Sequence, residues 1–170
     1  YRRDVASFIA RAVFQDLRAN GYDVFMDIES VDSSDPFNSI IERQIEARAH
    51  FLVILTPGTI ERFTQPSDWL RREIEYAMEK KGNIGPLQVN GFTFSGSAQY
   101  LTGKLEELNH FNGLEVPHSY FEEAMKRLRK FYLKQPIQGL IIPAPAKDEP
   151  VVQLKIAEVA AKSLPTEREL

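Results

Sequence analysis

The chain has 170 residues, of which 43% are hydrophobic and 26% are charged, and its formal net charge is −3. This composition fits one packed domain with some additional chain, and it gives no support to nucleic-acid binding through a basic surface. The absence of cysteine excludes disulfides and thiolate metal sites, and His50, His110 and His118 lack zinc-ligand spacing. No apolar run approaches the roughly 18 residues of a membrane span, and no signal peptide is evident. We therefore expect no metal, no membrane binding and a cytoplasmic location.

The first part of the chain alternates amphipathic helices with short apolar strands. Apolar residues recur at helical spacing over 4–20, and an Asn-Gly pair follows as a helix stop. Residues 22–27 are predicted as a short strand, and the polar stretch 28–36 as a loop. A second amphipathic helix is predicted over 37–49. The apolar run 50–56 then reads as a buried strand.

The same alternation continues to residue 133. The pattern predicts a helix over 67–81, opened by a Ser or Asp cap, and a strand over 83–89. It then predicts a short helix near 98–109, a strand over 113–117 and an amphipathic helix over 118–133.

This order of elements favours an α/β fold with a central parallel sheet of about five strands and helices on both faces. The helix over 4–20 needs a strand before it to complete the pattern. We expect that first strand to lie upstream of Tyr1, or to be represented only by it. Ligands of such sheets bind at the loops beyond the carboxyl ends of the strands.

The chain changes character after residue 133. Four prolines between 136 and 150 predict a semi-rigid linker over 134–150, following a domain that covers 1–133. Residues 151–170 contain one more helix, over 151–164. This helix could dock back on the domain or begin a second, sensor or oligomerisation domain, and we favour the second interpretation.

The most informative stretch is the helix start at 68–74, which follows the buried strand and its Pro-Gly turn. Trp69 and Glu73 are four residues apart and so share one helix face. An aromatic ring and a carboxylate beyond the carboxyl end of a buried strand are well placed to hold a cationic ring and an electron-poor sugar.

Seven segments in order carry a family resemblance. They are Tyr1-Arg2-Arg3-Asp4, 21–27, 28–37, 51–58, 68–74, 90–94 and 111–124. Together they resemble the Toll/interleukin-receptor (TIR) domain, of the bacterial and animal branch that cleaves NAD, with the axon-degeneration NADase and the antiphage TIR effectors as the most similar members. The resemblance implies a flavodoxin-like TIR fold in which 28–37 forms the BB loop.

The resemblance also implies an activity, namely hydrolysis of the nicotinamide–ribose bond of NAD+. The products would be nicotinamide and ADP-ribose or a cyclic ADP-ribose isomer. The glutamate matching Glu73 is catalytic in this family, while the arginine matching Arg2 and the BB-loop aromatic matching Phe37 line the pocket. We add Arg3, Trp69 and Phe94 as candidate substrate-binding residues. NAD+ would be a substrate, so no cofactor is implied.

Two departures from the family pattern stand out. Ser34 occupies a BB-loop position where the family usually has glycine, and Phe94 stands where it has tryptophan. Roles without chemistry compete for the candidates: Trp69 as a packing anchor, Phe37 as a hydrophobic staple and Phe94 as a core residue. Glu73 could also be a solvated helix glutamate, and Arg2 and Arg3 could be solvated at a strand end.

One carboxylate is chemically sufficient for this reaction. Ordinary glycosidases need two, because an alkoxide leaving group must be protonated. The nicotinamide of NAD+ already carries a positive charge and leaves neutral, so an ionised Glu73 can stabilise the oxocarbenium-like transition state and orient the attacking water.

Two functions follow from the sequence. The first is an NAD+ glycohydrolase activated by self-association through TIR domains and the BB loop, in antiphage defence or cell-death signalling by analogy only. The alternative is a non-enzymatic TIR–TIR interaction or adaptor module, against which the Trp69–Glu73 pair argues.

Overall fold

Three parallel strands form a sheet at the centre of the protein. The computed structural model describes residues 2–26, 35–65, 68–80, 83–89, 91–111, 113–134, 136 and 140–161, with side chains except at 2–6, 35–38 and 62. The strands are β1 (Phe51–Leu55), β2 (Ile84–Gln88) and β3 (Leu114–Glu115), in that spatial order. Phe51 pairs with Ile84 and Leu55 with Gln88, which fixes the β1–β2 register.

Six α-helices and several tighter turns surround this sheet in the described ranges. The α-helices are α1 (Arg2–Ala19), α2 (Asp35–Ala47), α3 (Pro57–Ile60), α4 (Trp69–Lys80), α5 (Phe121–Arg127) and α6 (Glu149–Ala161). The 3₁₀ turns are Glu61–Thr64, Ser95–Ser97, Gly103–His110, His118–Tyr120 and Ala146–Asp148, and a π-helical turn spans Leu128–Tyr132.

The two faces of the sheet bury separate hydrophobic clusters, because successive strand residues point to opposite faces. Val53 and Leu55 pack with α4 and the Gly103–His110 turn in one cluster. Leu52 and Ile54 pack against the other, which α1 and α5 cover. The predicted α/β architecture with a parallel sheet and helices on both faces is therefore confirmed.

Local signals in the sequence account for the helix ends. The Oδ1 atom of Asp68 accepts a hydrogen bond of 3.1 Å from the backbone N–H of Arg71, so Asp68 caps α4 as expected. Gly21 has a φ of +86°, a conformation that glycine adopts without strain, and it turns the chain after α1.

The prediction of about five strands is wrong for the described residues, which contain three. Residues 22–26 were predicted as a strand, but they have no ladder partner and form no strand. A strand is stabilised by hydrogen bonds to a neighbour. The neighbouring edge of β1 is separated from 22–26 by a cavity, so this apolar segment runs along the domain without pairing.

Two predicted α-helices also take tighter or wider forms. The helix near 98–109 is replaced by the 3₁₀ turns Ser95–Ser97 and Gly103–His110. The helix over 118–133 begins as a 3₁₀ turn, continues as α5 and ends as a π-helical turn. Apolar spacing does not distinguish these neighbouring helical forms, because they place side chains on nearly the same face.

The C-terminal segment contacts the sheet-bearing part of the chain. Arg43 of α2 forms an ion pair with Asp148, and the backbone N–H of Ile142 donates to the carbonyl of Glu46 at 3.0 Å. Val152 and Val159 of α6 are buried. The division into a domain, a linker and the start of a second domain stays a prediction. Within the described ranges, no helix combines the length and apolar character needed to cross a membrane.

Candidate functional site

A cavity of about 880 Å³ runs along the open edge of β1. Its walls come from α1, residues 22–26, α2, β1 and the first turns of α3 and α4. Part of this volume lies along the β1 edge, where the expected first strand would pair, so the part relevant to a ligand is the end that α3 and α4 line. Most lining side chains are apolar, and polar groups are contributed by only a few residues of each wall.

The edge of β1 contributes main-chain groups to this cavity. The N–H of Phe51 donates to the carbonyl of Asn83, and the carbonyl of Leu55 accepts from the N–H of Val89, each at 2.9 Å. Both of these bonds are on the β2 side of the strand. Because main-chain groups alternate in direction along a parallel strand, those of Leu52 and Ile54 point to the cavity. A strand placed before α1 could pair at this edge, and its existence stays a prediction.

Segment 22–26 is held across the cavity by Arg48, which lies just after α2. The Arg48 guanidinium is 3.2 Å from the carboxylate of Asp23 and 5.7 Å from the ring centroid of Phe25. His50 also lines the cavity, and burial lowers its pKa despite a backbone hydrogen bond to Leu133. His50 is therefore neutral at pH 7 and adds no charge to the wall.

The carboxyl end of β1 is where the predicted chemistry gathers. Asp68, Trp69 and Glu73 line the cavity from α4, and Gly58 and Thr59 line it from α3. The four-residue spacing of Trp69 and Glu73 places both on the cavity side of α4, as their shared helix face required. Glu73 is half-buried, so its carboxylate is partly shielded from water at a site open to a ligand.

The indole N–H of Trp69 is buried on the cavity wall. Its Nε1 atom is buried and has no hydrogen-bond acceptor among the described residues. The guanidinium of Arg72 lies 5.5 Å from the indole centroid and shields the ring.

Phe94 is not brought to this cavity. Its ring packs edge-on against Phe92, with centroids 5.1 Å apart and an interplanar angle of 84°. Both rings belong to the cluster beneath α4. The assignment of Phe94 to substrate binding stays a prediction that this geometry does not support directly.

Three further candidates fall at positions without described side chains. Arg2 and Arg3 lie in the first turn of α1, and Phe37 lies in the first turn of α2. Both helices line the cavity farther along their length. The BB-loop residues 28–34 lie outside the described residues, so the roles expected for these positions stay predictions.

Sequence reasoning missed the contribution of α3. The side chain of Thr56 caps this short helix, its Oγ1 accepting from the N–H of Thr59 at 3.1 Å, and Pro57 occupies the first turn. A threonine followed by proline is a recognisable helix start, so this signal was available in the sequence. The cap places Gly58 and Thr59 opposite α4 at the cavity mouth.

A second cavity of about 400 Å³ lies at the carboxyl ends of β2 and β3. Gln88, Glu115 and His118 supply its polar lining. Of the predicted site residues whose side chains are described, Trp69, Glu73 and Phe94, none lines it. The cavity that contains both Trp69 and Glu73 is therefore the better candidate active site.

The family of the chain follows from a comparison with known proteins. The family model described as the TIR domain matches residues 1–128. The chain belongs to the TIR domain family. The resemblance drawn from the sequence is thereby confirmed, including its direction toward the NAD-cleaving relatives.

Three curated relatives align with this TIR domain over 134 residues, or 77% of the chain. They are NAD(+) hydrolase tir-1 of Caenorhabditis elegans at 27% identity, NAD(+) hydrolase sarm1 of Drosophila melanogaster at 28%, and NAD(+) hydrolase SARM1 of Danio rerio at 25%. The chain covers 14%, 10% and 18% of these relatives, respectively. The likeness therefore concerns a TIR-sized portion of much longer proteins.

Proposed function

We propose that this TIR domain is an NAD+ glycohydrolase whose catalytic carboxylate is Glu73. The observation that carries the proposal is the placement of Trp69 and Glu73 on the wall of one cavity at the carboxyl end of β1. The aligned relatives are named NAD(+) hydrolases, which supports the same reaction class.

The proposed step breaks the bond between ribose C1′ and the nicotinamide nitrogen. The bonding electron pair goes to the pyridinium ring, so nicotinamide leaves neutral and needs no proton. The ionised carboxylate of Glu73 stabilises the positive charge that develops on the ribose and hydrogen-bonds its hydroxyls. Water then forms the new bond to C1′ and releases one proton to the solvent, which yields ADP-ribose. Attack by the adenine ring instead would yield a cyclic isomer.

Trp69 suits a binding role beside this carboxylate. Its buried N–H lacks an acceptor among the described residues, and the carboxamide or ribose oxygens of NAD+ would supply one. Arg72 covers one face of the indole ring, and the other face would pack against the flat nicotinamide ring.

Assembly is part of the proposal. TIR–TIR contacts through the BB loop, 28–37, would complete the pocket, so activity would depend on self-association. A cytoplasmic role in antiphage defence or cell-death signalling rests on analogy with the family.

The direct test is nicotinamide release from NAD+ by a concentrated, assembled preparation. Glu73→Gln keeps the shape and removes the charge, and we expect it to lower kcat by about 100-fold or more. Glu79→Gln is the matched control, since Glu79 is exposed on the same helix and forms only a 3.6 Å surface pair with Lys104. We expect the control to retain activity.

Two results would contradict the proposal. One is unchanged release by Glu73→Gln. The other is no release by a parent whose assembly has been verified independently, which would favour the interaction module. Trp69 is the sole tryptophan, so its fluorescence separately reports NAD+ binding to the inactive Glu73→Gln variant.

A further inference from the structure

Arg71 is a buried cation that the proposed chemistry does not use. Only 8% of the residue is exposed. Its Nε donates to the carboxylate of Glu75 at 2.9 Å, and its Nη1 donates to the carbonyl of Phe63. Thr102 receives two more bonds, from Nη1 to Oγ1 at 3.1 Å and from Nη2 to the carbonyl at 3.0 Å. Four hydrogen bonds therefore fix the guanidinium in one orientation.

These bonds tie three separate segments together. Glu75 belongs to α4, Phe63 to the preceding 3₁₀ turn and Thr102 to the loop before the Gly103–His110 turn. Gly103 has a φ of +61°, and a Cβ added there would lie 3.2 Å from Nη2 of Arg71. The loop thus packs closely around the guanidinium. A planar guanidinium, with donors in several fixed directions, can reach all of these acceptors, whereas a lysine ammonium cannot.

The position of Arg71 on the helix relates it to the candidate active site. Arg71 and Glu73 are two residues apart, which places their side chains about 200° apart around the helix axis. Trp69 and Glu73 face the cavity, while Arg71 points to the opposite side. The backbone N–H of Arg71 is in turn capped by Asp68, so Arg71 holds the first turn of α4 through both its main chain and its side chain.

We propose that Arg71 is a positioning residue. It fixes the rotation of the first turn of α4 about the helix axis and its position along that axis, and so it sets the orientation of Trp69 and Glu73 at the cavity. The catalytic part of this inference rests on the proposed NAD+ glycohydrolase activity. The positional part does not, because Trp69 reports on the same turn without any substrate.

The test compares Arg71→Met and Arg71→Lys with the parent. Arg127→Met and Arg127→Lys are the matched controls, since Arg127 is exposed on α5. The first readout is acrylamide quenching and the emission maximum of Trp69. The second is kcat and KM for nicotinamide release, expressed per folded molecule from denaturation curves.

We expect Arg71→Met to make Trp69 more accessible to acrylamide and to lower kcat by about 10- to 100-fold, since an error near 1 Å in a reacting group has effects of that size. KM should change less than kcat, because Glu73 acts on the charge that develops in the transition state, while Trp69 is only one of the residues proposed to bind the substrate. Arg71→Lys should recover part of kcat, and the Arg127 variants should match the parent.

The inference is overturned if Arg71→Met lowers only the denaturation midpoint, with parent-like quenching and kcat per folded molecule. If Arg71→Met does not fold, Thr102→Val removes the Oγ1 acceptor and Glu75→Gln removes the charge of the Nε acceptor. Each should give smaller changes in the same two readouts, and parent-like values in both would overturn the inference equally. If Trp69 responds as expected but the assembled parent releases no nicotinamide, the proposed function fails and the positioning role stands.

Discussion

The ion pair between Arg43 and Asp148 predicts how the C-terminal segment is attached. Nε of Arg43 is 2.5 Å from Oδ2 of Asp148, and Nη2 is 3.0 Å from Oδ1. The side chain of Asp148 is 4% exposed and that of Arg43 is 31% exposed. Asp148 comes directly before α6, so this pair joins the segment to α2, a wall of the candidate active site.

Asp148→Asn should weaken this attachment measurably. The amide keeps the shape and can still accept one of the two hydrogen bonds, while the charge is lost. A hydrogen bond to a charged group contributes about 1.5–3 kcal/mol, and Arg43 is exposed enough to be rehydrated when its partner changes. We therefore expect a loss of about 2 kcal/mol, or roughly a 30-fold shift toward the detached segment.

The same pair should be sensitive to acid. The hydrogen bonds from Arg43 hold the pKa of Asp148 below its ordinary value of 3.8, more than offsetting its burial. A carboxyl whose pKa is lowered in the folded state contributes stability that is present above its unfolded pKa and lost as the pH falls through the folded one. The difference between the parent and Asp148→Asn should therefore be constant above about pH 5 and shrink below pH 4.

Amide hydrogen exchange measures the detachment of the C-terminal segment from α2 directly. In Asp148→Asn we expect exchange in Glu149–Ala161 to be about 30-fold faster, with β1 and β2 unchanged. Glu158→Gln, which alters an exposed acid on the same helix, should resemble the parent. Parent-like protection of α6 in Asp148→Asn, or an equal loss across the sheet, would refute the reasoning.

Two further variants test the packing around the site. Tyr76→Phe removes the hydrogen bond from Tyr76 to the Glu46 carboxylate, which should lower the free energy of unfolding by about 1 kcal/mol in urea titrations. Burial and Glu46 raise the pKa of Tyr76 above 10.0, so the parent should lose stability as the pH rises past 10.0 while Tyr76→Phe loses less; equal slopes would argue against this bond. Leu105→Ala empties a fully buried position and should lower the free energy of unfolding by about 3 kcal/mol, against under about 0.5 kcal/mol for the exposed Leu154→Ala; similar losses for both leucines would contradict the assigned core.

The sequence alone determined the elements with strong periodicity and clear caps. The apolar run at β1, the cap at Asp68 and the stop at Gly21 are local features, so their structure follows from a few neighbouring residues. The shared face of Trp69 and Glu73 follows from helix geometry in the same way. Seven ordered matches within 1–133 indicated the family, and the family model over 1–128 confirms it.

Tertiary structure decided what depends on distant partners. Residues 22–26 have the composition of a strand, but pairing requires a neighbour that the local sequence does not specify. Phe94 is a candidate for the pocket, and its edge-on contact with Phe92 is a tertiary feature that the local sequence does not specify. Arg71 was read as part of a motif, and only the fold brings Phe63 and Thr102 around it.

The sequence separation of the interacting residues explains this difference between what the sequence predicts and what it does not. Capping and helix periodicity act over three or four residues and are visible in the chain itself. The Arg71 bonds span 8 and 31 residues, and the Arg43–Asp148 pair spans 105. Contacts of that separation form only once the sheet has brought the segments together, so sequence patterns predicted the helix that carries Glu73 but not the contacts that hold it in place.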